Sequence, residues 1–247
     1  MTNKFSRLFI IVVLIALAGG SAYALRHRIK EAVIPPPPPP DNTYHPDIPD
    51  VVKSSSALLN VPFTSQAPTF NWADPREEDA CEEAAILMAW SWIKNESLND
   101  AKATEKKITD ISDYETAHTG NYFDTDAADT AKLMTDYYGY TNLVVKMNPT
   151  IEDIKDALRA GKLVLAPANG QKLGNPNYTG AGPLTHFLVI KGFDDATGLF
   201  TTNDSGTRLG NNYKYTYATL YNALVDYPTG HHEDQTGRPK AMIVVTK

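Results

Sequence analysis

Cys81 is the only cysteine among 247 residues, and it opens the apolar run Cys81-Glu82-Glu83-Ala84-Ala85-Ile86-Leu87-Met88-Ala89-Trp90. A thiolate at that point would be a nucleophile for acyl transfer. Asp79, with Glu82 three residues on, fits a capping box with Asp in the Ser/Thr place. This predicts a helix whose first turn holds the sulfur. The unpaired N–H groups and macrodipole at such an end favour negative charge and lower a thiol pKa. The competing expectation is a small buried hydrophobe, because residues 81, 84, 85, 88 and 92 share one apolar face.

A thiol nucleophile needs a base, and the base needs an orienter. Of the six histidines, His27 and His45 precede the expected domain and His118 sits in polar, loop-like sequence. His186 differs: it follows the Gly-containing segment 178–185 and opens a strand-like run, His186-Phe187-Leu188-Val189-Ile190-Lys191-Gly192-Phe193. A loop–strand junction puts a ring at a cleft edge on a rigid support. Asn203 and Asp204 end the next expected strand. Adjacent strand residues point to opposite faces, so only one of them faces His186. There an amide or carboxylate on Nδ1 would set the tautomer; the same Asn203-Asp204-Ser205-Gly206 residues are also turn formers. The Gln66 side-chain amide and the Cys81 N–H form a candidate pair of oxyanion donors.

These residues need elements to hold them. Leu58–Phe63 reads as an edge strand, where proline is tolerated. A helix is expected from Asp79 to Lys94. A second, capped by Asp124 or Asp126, carries Ala127, Ala131, Leu133, Met134 and Tyr138. A third starts at Thr150-Ile151-Glu152-Asp153, a capping-box-like signal, and stops at Gly161. Strands then follow over residues 163–167, 186–193, 199–204 and 242–246. Helices first and strands later imply an α+β domain with N-terminal helices packed on a C-terminal antiparallel sheet.

The formal charge of −6 and pI near 5.5 argue against non-specific nucleic-acid binding, which needs a basic footprint. One cysteine excludes a disulfide within the chain and a cysteine-rich zinc site. Asp124, Asp126 and Asp129 lack EF-hand spacing, and His231-His232-Glu233-Asp234 reads as a solvated loop rather than a metal site. No metal or organic cofactor is expected. Residues 1–30 form either an uncleaved anchor through residues 8–25 or a signal peptide cut after Ala22-Tyr23-Ala24. The expectation leans to the anchor, with the rest exported to the cell surface or secreted. Arg26, Arg28 and Lys30 oppose that orientation under the positive-inside rule. Residues 31–57, with an unbroken proline run from Pro35 to Pro40, form a stiff linker. The folded domain spans 58–247.

Val61-Pro62-Phe63-Thr64-Ser65-Gln66, Cys81-Glu82-Glu83-Ala84-Ala85, His186–Asp194 and Asn203-Asp204, in that order and spacing, resemble peptidase family C thirty-nine and its stand-alone relatives. These are papain-like cysteine peptidases. The resemblance implies a papain-like fold and a peptide or protein substrate. It matches Gln66 to the oxyanion-hole residue, Cys81 to the nucleophile, His186 to the general base and Asp204 to the orienting acid. Two departures stand out. Glu82-Glu83 replaces the usual Gly-Pro, which sets carboxylates against thiolate formation. The long spacer from Gln66 to Cys81 contains Trp72 and is expected to rim a cleft. The alternative is a catalytically inactive papain-like binding domain displayed on a membrane stalk. A cell-wall peptide hydrolase of the other papain-like group ranks lower, because the Ser-Gly expected after its nucleophile is missing.

Overall fold

The computed structural model describes residues 53–247. The expected anchor or signal segment, and nearly all of the proline-rich linker, lie outside the described residues. Among the described residues there are seven helices and seven strands. The strands are β1 (Ser56–Leu58), β2 (Leu143–Met147), β3 (Leu163–Ala168), β4 (His186–Asp194), β5 (Leu199–Asp204), β6 (Asn211–Thr216) and β7 (Ala241–Val245). The helices are α1 (Pro75–Glu78), α2 (Cys81–Lys94), α3 (Ala101–Thr119), α4 (Ala127–Tyr138), α5 (Ile151–Arg159), α6 (Gly170–Leu173) and α7 (Tyr217–Ala223).

All strands pair antiparallel in the order β2-β7-β3-β4-β5-β6. β4 is the hub. Its first half pairs with β3, from Ala168↔His186 to Val164↔Ile190, and its last three residues pair with β1. β5 runs along its other edge. At Gly192 an added Cβ would lie 2.7 Å from the Ala57 carbonyl oxygen, so glycine is what lets β1 approach. The edge strand is therefore three residues and ends where it was expected to begin. Beyond it, the Val61 and Pro62 carbonyls accept side-chain bonds from Asn203 instead of joining the ladder.

Each face of the sheet carries its own core. Leu163, Leu165, Phe187, Val189 and Ile243 pack in one cluster with residues of α2, α3 and α4. Val164, Ala166, Leu188, Ile190, Phe200 and Met242 pack in another with residues of α5 and α7. Alternate residues of β3 and β4 thus enter different cores, which explains why both strands read as unbroken apolar runs. α2 is buried from Cys81 through Ala89, so it is a core helix rather than one with a single buried stripe. The architecture is the α+β arrangement expected, with a second helical layer added.

Local signals act where they are strongest. Asp126 caps α4 by accepting from the Ala128 and Asp129 amides. Thr150 and Asp153 close a full capping box on α5. The box expected from Asp79 and Glu82 does not form. Asp79 ends α1, Ala80 occupies the N-cap of α2, and no side chain caps that helix. His118 lies in the last turn of α3 rather than in a loop, with its ring bonded to the Tyr114 carbonyl.

Candidate active site

Cys81 stands at the first residue of α2. Among the described residues no backbone acceptor takes its N–H, as expected for a first-turn amide. The thiol is buried and donates to Glu82 Oε2 at 3.0 Å. Burial pushes its pKa well above the ordinary thiol value, and the negative charges of Glu82 and Asp124 push it further. The helix end does not win here: desolvation and adjacent carboxylates outweigh a dipole effect of about 0.3–1 kcal/mol. Glu82 also accepts from Tyr227 Oη at 2.6 Å and from the Thr125 amide at 3.2 Å. Burial, and then the charge of Asp124, raise its carboxyl to about 7 despite those bonds. Glu83 turns away from the sulfur toward α3, where Ser112 Oγ donates to it at 2.7 Å.

His186 opens β4 and is 1% exposed. Leu188 pairs with Asp204, so His186, two residues before Leu188, shares the Asp204 face as a diagonal neighbour. Its Nε2 lies 2.8 Å from Asp204 Oδ1. The carboxylate contact is thus on Nε2, not on Nδ1 as expected, and leaves Nδ1 as the ring's other nitrogen. Asn203 pairs with Val189 and faces the other way, donating to the Val61 and Pro62 carbonyls. Asp204 is fully buried and accepts four further bonds: from the Gly206 amide on Oδ1, and from Tyr178 Oη, Tyr215 Oη and Asn175 Nδ2 on Oδ2. Burial alone would raise its carboxyl. Attraction to His186 and the bonds from His186, Tyr215 and Tyr178 overcome that and hold it at about 2. At Gly206 an added Cβ would meet His186 Cε1 and Tyr178 Cε1, both at 3.0 Å, so glycine keeps the loop close over the imidazole.

Gln66, Cys81 and His186 line one open cleft of about 450 Å³. Asp204 lies behind His186 rather than on the wall. Gln66 Nε2 donates to the Glu77 carbonyl at 3.1 Å and the Glu78 carbonyl at 2.6 Å. Both amide hydrogens are therefore engaged in this state. The thiol's hydrogen bond goes to Glu82 and not to the imidazole. Trp72 sits on the cleft wall, as the spacer before Cys81 led one to expect. Sequence reasoning missed the shell around Asp204: Asn175, Tyr178 and Tyr215. The alternation of Tyr213 and Tyr215 with polar residues could have revealed β6. Tyr215 pairs with Phe200, which shares the Asp204 face. Asp124, expected as a helix cap, and His232, expected in a solvated loop, both line the cleft beside Asp79.

The sequence profile of the Peptidase_C39 like family matches residues 58–229. A solved structure from Bacillus anthracis described as a C39-like peptidase is similar at 16% identity, covering 78% of this chain and 99% of that one, with a TM-score of 0.47. No curated protein matches the chain. The profile spans well over half of the 247 residues, and the chain belongs to the Peptidase_C39 like family.

Proposed function

We propose that this family member is a thiol hydrolase of peptide amide bonds. Cys81 is the nucleophile, His186 the base, Asp204 the orienter and Gln66 an oxyanion donor. It works outside the cytoplasm, tethered through residues 8–25 or released after export. The observation that carries the reading is the ionised, fully buried Asp204 bonded to an imidazole that shares a cleft with the thiol.

In the reaction, the thiol leaves Glu82 and gives its proton to His186 Nδ1. Asp204 holds the Nε2–H and offsets the positive charge that forms on the ring. The sulfur attacks the carbonyl carbon, and the carbonyl π electrons move onto oxygen. The free Cys81 N–H and one Gln66 amide hydrogen receive that oxyanion; Gln66 gives up the Glu77 carbonyl, its longer contact, to do so. Imidazolium protonates the leaving amine, the C–N bond breaks, and water hydrolyses the thioester with His186 again as base.

A second reading is favoured by one observation: the thiol is bonded to a carboxylate and not to the base, and burial raises its pKa. That suits a peptide-binding domain without turnover. The deciding experiment incubates the full chain with a peptide library and reads new termini by mass spectrometry. The hydrolase gives products that vanish in Cys81→Ser and His186→Ala. Identical products from wild type and Cys81→Ser would overturn it, and retained peptides without cleavage would establish the binding domain.

A further inference from the structure

One wall of the cleft carries a group of side chains that the hydrolase chemistry does not use. Asp79, His231 and His232 each offer a ligand atom, and those atoms lie within 4.8 Å of one another. The Asp79 side chain is 10% exposed, and among the described residues no hydrogen-bond donor reaches it. The closest partner, His231 Nδ1, stands 3.7 Å from Oδ2, beyond hydrogen-bond range. That carboxylate lines the open cleft with no protein donor on either oxygen among the described residues, so a cation entering the cleft finds it unpaired.

The histidine loop is fixed rather than freely solvated. The Gly230 amide donates to the Asp124 carbonyl at 2.9 Å, and the His232 amide donates to Asp124 Oδ2 at 2.8 Å. Gln235 Nε2 donates to the Leu184 carbonyl at 2.8 Å. The His231 and His232 rings stack with centroids 4.2 Å apart. Asp124, itself buried, also sits 3.0 Å from His232 Nδ1 through the same Oδ2. A carboxylate on one ring nitrogen fixes the tautomer and leaves the lone pair on the other, the usual support behind a metal-bound histidine.

We propose that Asp79, His231 and His232 form a three-ligand site for a zinc-class divalent transition-metal ion, with Asp124 positioning His232. Two imidazoles and one carboxylate suit zinc, and three protein ligands leave the fourth tetrahedral position to water or an incoming donor. A substrate cation would use the carboxylates but not the two imidazoles, which makes the metal the better fit. Bonds of about 2.0–2.1 Å require the ligand atoms to draw inward by roughly an ångström, within reach of rotamer changes in the two half-exposed imidazoles. Metal binding does not depend on the hydrolase reading, so the two can fail separately.

The test titrates the full chain with Co²⁺ and follows the visible d–d bands of a tetrahedral ion, then displaces Co²⁺ with Zn²⁺. The expected result is one equivalent bound with these bands in wild type and Cys81→Ser. The bands should be lost in His231→Gln and His232→Gln, and affinity should fall roughly 10- to 100-fold in Asp124→Asn. Three results would each overturn the site: no d–d bands in wild type, bands indifferent to both histidine substitutions, or bands that need Cys81, which would move the ion onto the thiol. Matching circular dichroism of the variants shows that they remain folded.

Discussion

Two carboxylates flank the same cleft, both essentially buried, and they rest in different charge states. Asp204 is held at about 2 and Glu82 near 7. Desolvation raises both. The difference lies in their company. Asp204 accepts five hydrogen bonds, one of them from an imidazole able to carry positive charge. Glu82 accepts three and has Asp124 as a like-charged neighbour. Burial alone therefore does not decide ionisation; the number of donors and the sign of the neighbouring charge do. The sheet wall keeps an anion behind His186, whereas the helix wall keeps a carboxyl raised toward neutrality beside the thiol.

The largest break in this comparison is Asp204→Ala. It leaves two tyrosine hydroxyls, the Asn175 amide and His186 without their buried acceptor, at a cost of about 3–5 kcal/mol. Urea denaturation at neutral pH measures it; a loss below about 1 kcal/mol would show that the donors find other partners.

Glu82→Gln sharpens the contrast. The folded-state carboxyl is raised from 4.5 to about 7. Its contribution to stability is thus complete below 4.5 and is lost as pH rises through 7. By linkage this share is about 3 kcal/mol, and the variant should flatten that fall in denaturation free energy between pH 5 and 8. Asp204 has the opposite sign: lowered from 3.8 to about 2, it contributes above 3.8 and loses that share as pH falls through 2. Removing the Glu82 charge should also speed iodoacetamide alkylation of Cys81 at pH 8 severalfold, because one of the negative charges that oppose thiolate formation is gone. A pH profile and alkylation rate equal to wild type would mean that Glu82 does not control the thiol.

Tyr178→Phe is the mildest change. It deletes one bond of 2.7 Å to Asp204 Oδ2 and leaves the other donors in place. The expected cost is about 1.5–3 kcal/mol, as for a hydrogen bond to a charged group, read as a shift of the urea midpoint with an unchanged slope. A loss as large as that of Asp204→Ala would mean that Tyr178 alone holds the carboxylate.

Much of the scaffold was decided by short-range chemistry visible in the sequence. The Thr150–Asp153 box, the Asp126 cap and the β-rich run from His186 act within a few residues, and each set its element. The helix Ala101–Thr119 was not legible, because its face is polar and its cap, Asp100, announces no apolar period. Neither β2 nor β6 buries more than one residue, so neither carries the unbroken apolar run that marks β3 and β4. Which of Asn203 and Asp204 faces His186 required the register with β4, since a one-residue slip reverses the faces. The expected capping box at Asp79 failed because Glu82 is used elsewhere: its partners Thr125 and Tyr227 lie 43 and 145 residues away in the chain. The sequence by itself determined which groups could do chemistry and the order in which the elements carry them. Only the tertiary structure decided their charge, because ionisation in a buried site depends on donors and neighbours that distant segments supply.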